Sequence, residues 1–130
     1  MTTHHLSFST VTLLKDNVVE VIANEGIEVD MQMANELKHF FKSNLKHRFF
    51  VLINRVNSYS YTFEAQQSIL NIKNIHSLAF VAYSQSSAES AKLLTVFATE
   101  DIKYEIEFFS DRDSSLNWLL TKRKNFKANL

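Results

Sequence analysis

Two stretches of this chain are apolar without alternation: Phe49 to Ile53 (FFVLI, within a strand expected to end at Val56) and Leu78 to Tyr83 (LAFVAY). A strand with one wet face alternates apolar and polar side chains. Unbroken runs of bulky and β-branched residues suit strands covered on both faces, as in a parallel sheet. Parallel neighbours cannot be joined by a tight hairpin and need a crossover of a dozen or more residues, usually a helix. The first run turns polar at Asn54 and ends in a cluster of amides and hydroxyls, Asn54, Asn57, Ser58, Ser60 and Thr62, just before a helix-like segment. In an open α/β sheet the carboxyl ends of the strands are where ligands and partners meet the protein.

The remaining segments fit that frame. Leu6 to Leu14 alternates, with Leu6, Phe8, Thr10 and Thr12 on one face and Ser7, Ser9, Val11 and Leu13 on the other, and reads as a half-exposed edge strand. Lys15-Asp16-Asn17 suits a hairpin turn, leading to a second strand from Val18 to Ala23 that Asn24-Glu25-Gly26 breaks. Asp30 is placed to cap a helix to about Asn44, whose stripe is Met33, Leu37, Phe40, Phe41 and Asn44. A second helix is expected from Thr62 to about Lys73, with Ala65, Ile69 and Ile72 inward. Ser86 and Glu89 have capping-box spacing for a third helix to about Ala98, burying Ala91, Leu94, Phe97 and Ala98. Tyr104 to Phe109 reads as an edge strand, with Glu105 and Glu107 on one side. Ser110 and Asp113 repeat the capping-box spacing for a last helix, with Leu116, Leu119 and Leu120 inward and a basic tail expected to fray from Lys122. The expected order is β-β-α-β-α-β-α-β-α, a mostly parallel five-stranded sheet with an antiparallel N-terminal edge strand.

Composition narrows the chemistry. A length of 130 residues is that of a single domain, expected to be ordered from about residue 6 to residue 120 with residues 121–130 as the basic tail. The absence of cysteine removes disulfides, thiol nucleophiles and thiolate metal sites, and is compatible with a cytoplasmic location. No apolar run approaches a membrane span, and MTTHHLSFST lacks both the basic region and the long apolar region of a signal peptide. Gly26 is the only glycine and proline is absent, which excludes glycine-rich phosphate-cradling loops. Fourteen basic residues balance fourteen acidic ones, so net charge does not argue for nucleic acid or an anionic membrane. His4, His5, His39, His47 and His76 show no metal-ligand spacing, and there is no Gly-x-Ser-x-Gly elbow. No cofactor and no catalytic group is expected.

The phrases VVEVIANEG, VLINRVNSYSYTFEAQ, LAFVAYS and FFSDRDSSLNWL, together with the element order, resemble the SpoIIAA-like fold of anti-sigma-factor antagonists and other STAS domains, including small bacterial STAS-like proteins of unknown role. The resemblance runs from about Leu6 to Leu120 and implies helices mainly on one face of the sheet. In that family the strand like Val51 to Val56 leads to an Asp-Ser-Ser-Gly type motif, where a partner kinase that doubles as an anti-sigma factor phosphorylates a serine. Here the motif's position falls on Tyr61-Thr62-Phe63-Glu64, which lacks the aspartate, the serine pair and the glycine and keeps one hydroxyl, Thr62.

In such a sheet the loops at the carboxyl ends converge, bringing together Asn24, Glu25, Asn57, Ser58, Tyr59, Tyr61, Ser84, Asp111 and Arg112 as a candidate edge for a partner or ligand. Asn, Ser and Asp in such places also serve as caps and turn formers. Thr62 and Ser60 are the candidate phosphoacceptors. Tyr59, Tyr61 and Phe63 either anchor an interface or tuck rings back onto the core. Glu25, Asp111 and Arg112 are the charges expected to share the edge. The function expected is a non-enzymatic regulatory or protein-interaction module, with a protein partner or a homodimer. The alternative is a small apolar-ligand or lipid carrier, with the eleven Phe residues lining a pocket. Unalternated strands also leave room for apolar surface outside the core.

Overall fold

The structure, a computed structural model, describes residues 1–15, 17–46, 48–96 and 102–128. Its elements are β1 (Thr2–His5), β2 (Ser9–Lys15), β3 (Val18–Ala23), β4 (Glu28–Val29), α1 (Met31–Asn44), β5 (Phe49–Arg55), β6 (Ser60–Tyr61), α2 (Phe63–Leu70), β7 (Ile75–Ala82), α3 (Gln85–Val96), β8 (Glu105–Phe109) and α4 (Arg112–Ala128). The main sheet is six-stranded in the order β1-β2-β3-β5-β7-β8, and β4 pairs with β6 beside it. β1 and β2 are antiparallel additions, whereas β3, β5, β7 and β8 run parallel. Architecture and crossovers are those expected from the unalternated runs, with one strand more than expected in the main sheet and the short β4–β6 pair besides.

The extra strand of that sheet, β1, lies upstream of the alternation read at Leu6 to Leu14, which itself becomes a turn and β2. Leu6 N–H donates to the Ser9 carbonyl at 2.8 Å, turning the chain between β1 and β2, so Thr2–His5 folds back against Thr10–Leu13. The expected face assignment fails for the same reason: Phe8 in the turn and Val11 in β2 are buried in one cluster. Asp16 of the β2–β3 turn, and His47, lie outside the described residues. Asn17 takes a left-handed φ of 61°, which asparagine tolerates in a turn.

Both faces of the central strands are covered, by different helices. One face carries Val19, Val21, Val51, Ile53, Leu78 and Phe80 against Leu37, Phe40 and Phe41 of α1, Ala65, Ile69 and Leu70 of α2, and Ala91 of α3. Of the other α3 positions expected inward, the Leu94 side chain, Phe97 and Ala98 lie outside the described residues. The opposite face carries Val18, Phe50, Leu52, Ala79 and Val81 under Leu119 of α4, with Leu116, Trp118 and Phe126 packed around them. Helices therefore lie mainly on one face, as expected, but α4 occupies the other. That corrects the expectation of apolar sheet surface left outside the core.

The helix ends also differ from the capping boxes read in sequence. Asp30 caps α1 as expected, its carboxylate accepting from Met33 N–H at 3.0 Å. α2 stops at Leu70, because Asn71 turns its amide back to the Gln67 carbonyl at 2.7 Å and Asn74 adopts a left-handed φ of 74° on the way into β7. α3 is capped by Ser84, which accepts from Ser87 N–H at 3.1 Å, and α4 by Asp111, which accepts from Ser114 N–H at 2.7 Å. Each true cap therefore differs from the serine assigned in sequence. α4 then continues to Ala128 where a fraying tail was expected. Phe126 holds it down: its ring lies 6.3 Å from Phe50 and 4.9 Å from His76.

Candidate functional site

The parallel strands β3, β5, β7 and β8 end at one edge, and the loops that follow them meet there. The loops after β3 and β5 are zipped together by backbone and side chain. Gly26 N–H donates to the Ser58 carbonyl at 2.7 Å, the Glu25 carboxylate accepts from Ser58 N–H at 2.8 Å, and the Asn57 amide donates to the Ala23 carbonyl at 2.9 Å. Ser60 N–H and Thr62 N–H continue the ladder onto Ile27 and Val29 at 3.1 and 2.9 Å. Gly26 sits at φ 74°, the left-handed region that favours glycine, and this is where the lone glycine is used. Asn24, Glu25, Asn57 and Ser58 are thus brought together, with Asn24 N–H donating to the Phe8 carbonyl at 2.8 Å.

The aromatic trio divides. Tyr59 and Tyr61 turn inward onto the core cluster, their rings 5.4 Å apart in a T-shape and their hydroxyls 3.1 Å apart. Burial pushes both phenols up from their ordinary value. Phe63 points out and is 63% exposed. Thr62 caps α2, its hydroxyl accepting from Ala65 N–H at 3.2 Å, and Ser60 is exposed on β6.

The charges expected to share the edge have separate partners. Glu25 holds Ser58, and Asp111 holds the N–H and hydroxyl of Ser114, bonds that keep its carboxyl below the usual range. Arg112 reaches onto the α4 face and grips Glu20 with two bonds of 2.9 Å, Nε to Oε2 and Nη2 to Oε1. Asn54 donates to the same Oε2 at 2.9 Å. Burial alone would raise the Glu20 carboxyl, but the bonds from Arg112 and Asn54 and the guanidinium charge outweigh it and hold it below the ordinary value. Ser84 is exposed and spends its hydroxyl on the α3 cap.

Two buried polar groups here were not singled out from sequence. Glu20 is 6% exposed in the middle of the apolar VVEVIA run, and that interruption was the available signal. Arg55, 7% exposed at the end of β5, donates from Nε to the Ser87 hydroxyl at 3.2 Å, and its guanidinium lies 4.5 Å over the Tyr59 ring. Its position directly after FFVLIN was the only hint, since strand-end arginines usually reach solvent.

Among the described residues no group of His, Cys, Asp and Glu is arranged to hold a metal ion. His4 packs on Phe40 at 5.0 Å, His39 is exposed and His76 lies between Phe50 and Phe126. The space between the sheet and α2, lined by residues such as Ile53, Ile69 and Phe80, has a volume of about 10 Å³, room for no more than about one water. The phenylalanines on this face fill the core and leave no enclosed chamber at that position.

No protein-family model matches the sequence, and no curated protein does. Among solved structures the chain is similar to an uncharacterized protein of the DUF3478 family from Shewanella loihica PV-4, described as having a SpoIIAA-like fold. The superposition has a TM-score of 0.59 at 15% sequence identity and covers 85% of this chain and 91% of that one. At that identity the likeness speaks for architecture alone: the chain has the SpoIIAA-like fold that its strand phrasing implied.

Proposed function

We propose that this chain is a non-enzymatic regulatory or protein-interaction module that binds a protein partner, a second copy included, through the carboxyl edge of its sheet. The observation that carries this reading is where the exposed apolar side chains stand. Apart from Met1, the large hydrophobic residues left exposed among the described residues are Val56, Phe63 and Tyr83, at 56, 63 and 51%. Val56 directly follows β5, Phe63 opens α2 and Tyr83 follows β7, so all three belong to one edge. Exposed apolar groups gathered on one face mark contact surfaces, and aromatic residues are enriched at interface centres. The zipped loops beneath them form a stiff platform, which lowers the ordering cost of binding.

In this reading the module departs from the anti-sigma antagonists it resembles, because the position of their phosphorylation motif holds Tyr61-Thr62-Phe63-Glu64. Thr62 and Ser60 are the hydroxyls left for modification, and Thr62 is already engaged as a helix cap. No helix among the described residues is long and apolar enough to cross a membrane. Together with the lack of cysteine this supports a cytoplasmic setting. The tight space under α2 weighs against the lipid-carrier alternative. The test is affinity purification from the natural host with the unaltered chain and with Phe63→Ser plus Tyr83→Ser. Loss of a specific partner from the variant, with its circular dichroism unchanged, supports the proposal. An identical set of partners refutes it.

A further inference from the structure

The charges of this neutral chain cancel in sum but not in place. Lys42 in the last turn of α1, Arg48 ahead of β5, Lys73 ahead of β7 and Lys103 ahead of β8 all stand at the amino ends of the parallel strands. Glu25 and Glu28 after β3, Glu64 in the first turn of α2, and Asp111 and Asp113 at the start of α4 stand at the opposite edge. Helix ends explain part of this, since acids are favoured in first turns and bases in last turns. They do not explain Arg48, Lys73 or Lys103, which precede strands.

The amino edge is also concave. Two grooves meet at the turn Asn71 to Asn74. The larger, about 760 Å³, is lined by Ile72, Ile75, Ile102 and Tyr104, with Arg48, Lys73 and Lys103 around it. The smaller, about 480 Å³, is lined by Phe41, Leu45 and Phe49, with Lys38, Lys42 and Lys73 around it. No acidic side chain lines either groove among the described residues. Lys38, Lys42, Arg48, Lys73 and Lys103 are exposed, and none forms an ion pair with a described residue.

An apolar groove ringed by cations that form no ion pair with a described residue fits a protruding apolar surface ringed by acids. The chain carries such a surface at its other end, where Val56, Phe63 and Tyr83 stand out beside Glu25, Glu28 and Glu64. We propose that the amino-edge groove receives the carboxyl edge of a second copy, head to tail; this rests on the reading of the carboxyl edge as a protein-binding surface. The contact is heterologous. Every assembly keeps one free amino edge and one free carboxyl edge at its two ends, so association is open-ended and grows with concentration.

The test is sedimentation velocity across concentration, at about 0.01 M and about 1 M salt, over which the screening length falls from roughly 30 Å to about 3 Å. The unaltered chain is expected to grow in mass with concentration at low salt, with its association weakened about tenfold or more at high salt. An amino-edge variant, Lys42→Glu with Lys73→Glu, and a carboxyl-edge variant, Glu28→Lys with Glu64→Lys, are each expected to stay monomeric. Their equimolar mixture should regain growth with concentration, the two variants alternating, because an intact amino edge meets an intact carboxyl edge and a reversed amino edge meets a reversed carboxyl edge. All four changes in one chain should restore growth, which also controls for folding. A monomeric unaltered chain at low salt, a closed symmetric dimer, or a mixture that stays monomeric overturns the proposal. So does a chain that stays monomeric while its amino edge binds a short oligonucleotide. A monomer that still loses a host partner through Phe63→Ser and Tyr83→Ser refutes head-to-tail assembly alone and leaves the carboxyl-edge reading standing.

Discussion

Replacing Arg112 by alanine removes the cation that neutralises Glu20, a carboxylate whose side chain is 8% exposed. Two charge-assisted bonds of 2.9 Å are lost, and Glu20 keeps one, from Asn54. Breaking a buried ion pair from one side typically costs about 3–5 kcal/mol. The Arg112 side chain is 37% exposed, so solvent screens the pair, and we expect about 2 kcal/mol. For a domain of this size that lowers the melting temperature by roughly 6–10 °C. Glu20→Gln is expected to cost about 1 kcal/mol, because the arginine left behind can turn to water while a stranded carboxylate cannot. Urea unfolding followed by Trp118 fluorescence reads both, and the only tryptophan lies on the helix that Arg112 begins.

The pH dependence separates this mechanism from simple loss of packing. Glu20 is held below its ordinary value of 4.5, so its contribution is fully present above that value and is lost as pH falls through the lower folded-state value. In Arg112→Ala, burial without the guanidinium favours the protonated carboxyl, and the variant takes up its proton at a higher pH. Its deficit against the unaltered chain should therefore be largest near neutrality and shrink on acidification below about pH 5. An Arg112→Ala chain within about 0.5 kcal/mol of the unaltered protein at pH 7, or a deficit that does not change with pH, would refute the reasoning.

Two further outcomes are expected. Thr62→Ala should lose about 1 kcal/mol with the α2 cap while Thr62→Ser stays near the unaltered chain, both read by thermal unfolding; equal losses would show that the hydroxyl is not the cap. His76 is held below its ordinary value of 6.5, first by burial and then by Arg48, so its neutral form's contribution is present above pH 6.5 and is lost as pH falls below it. His76→Leu should flatten the stability profile in that window, and an unchanged profile would show that Phe126 docks on the ring regardless of its charge.

The mostly parallel sheet was legible in the sequence because burial on two faces leaves a signature in single residues. Phe49 to Ile53 and Leu78 to Tyr83 have no side free for water, and helix-length segments between them leave parallel pairing as the solution. The α1 cap at Asp30 and the exposed edge glutamates of β8 were legible for the same reason, since each depends on near neighbours in the chain. Convergence of the strand-end loops follows from parallelism alone, and the loops that hold Asn24, Glu25, Asn57 and Ser58 are hydrogen-bonded to each other.

Tertiary structure decided what depends on distant partners. Whether Lys122 begins a loose tail or the last turns of α4 turns on Phe126 finding Phe50 and His76, more than forty residues away in sequence. Whether a serine or its neighbour caps a helix is a matter of register that capping-box spacing leaves open by one or two positions. Arg112 was expected beside Glu25 and Asp111, yet across 92 residues it is Glu20, buried on the α4 face, that offers a carboxylate without another cation. Tyr59 and Tyr61 went inward and Phe63 outward, because the short β4–β6 pairing sets which rings face the core. The amino acids determined that the chain is a parallel α/β sheet with a polar carboxyl edge. Only its folding placed acids and aromatics at that edge and cations around a groove at the other, since a sum of charges carries no record of where in space they stand.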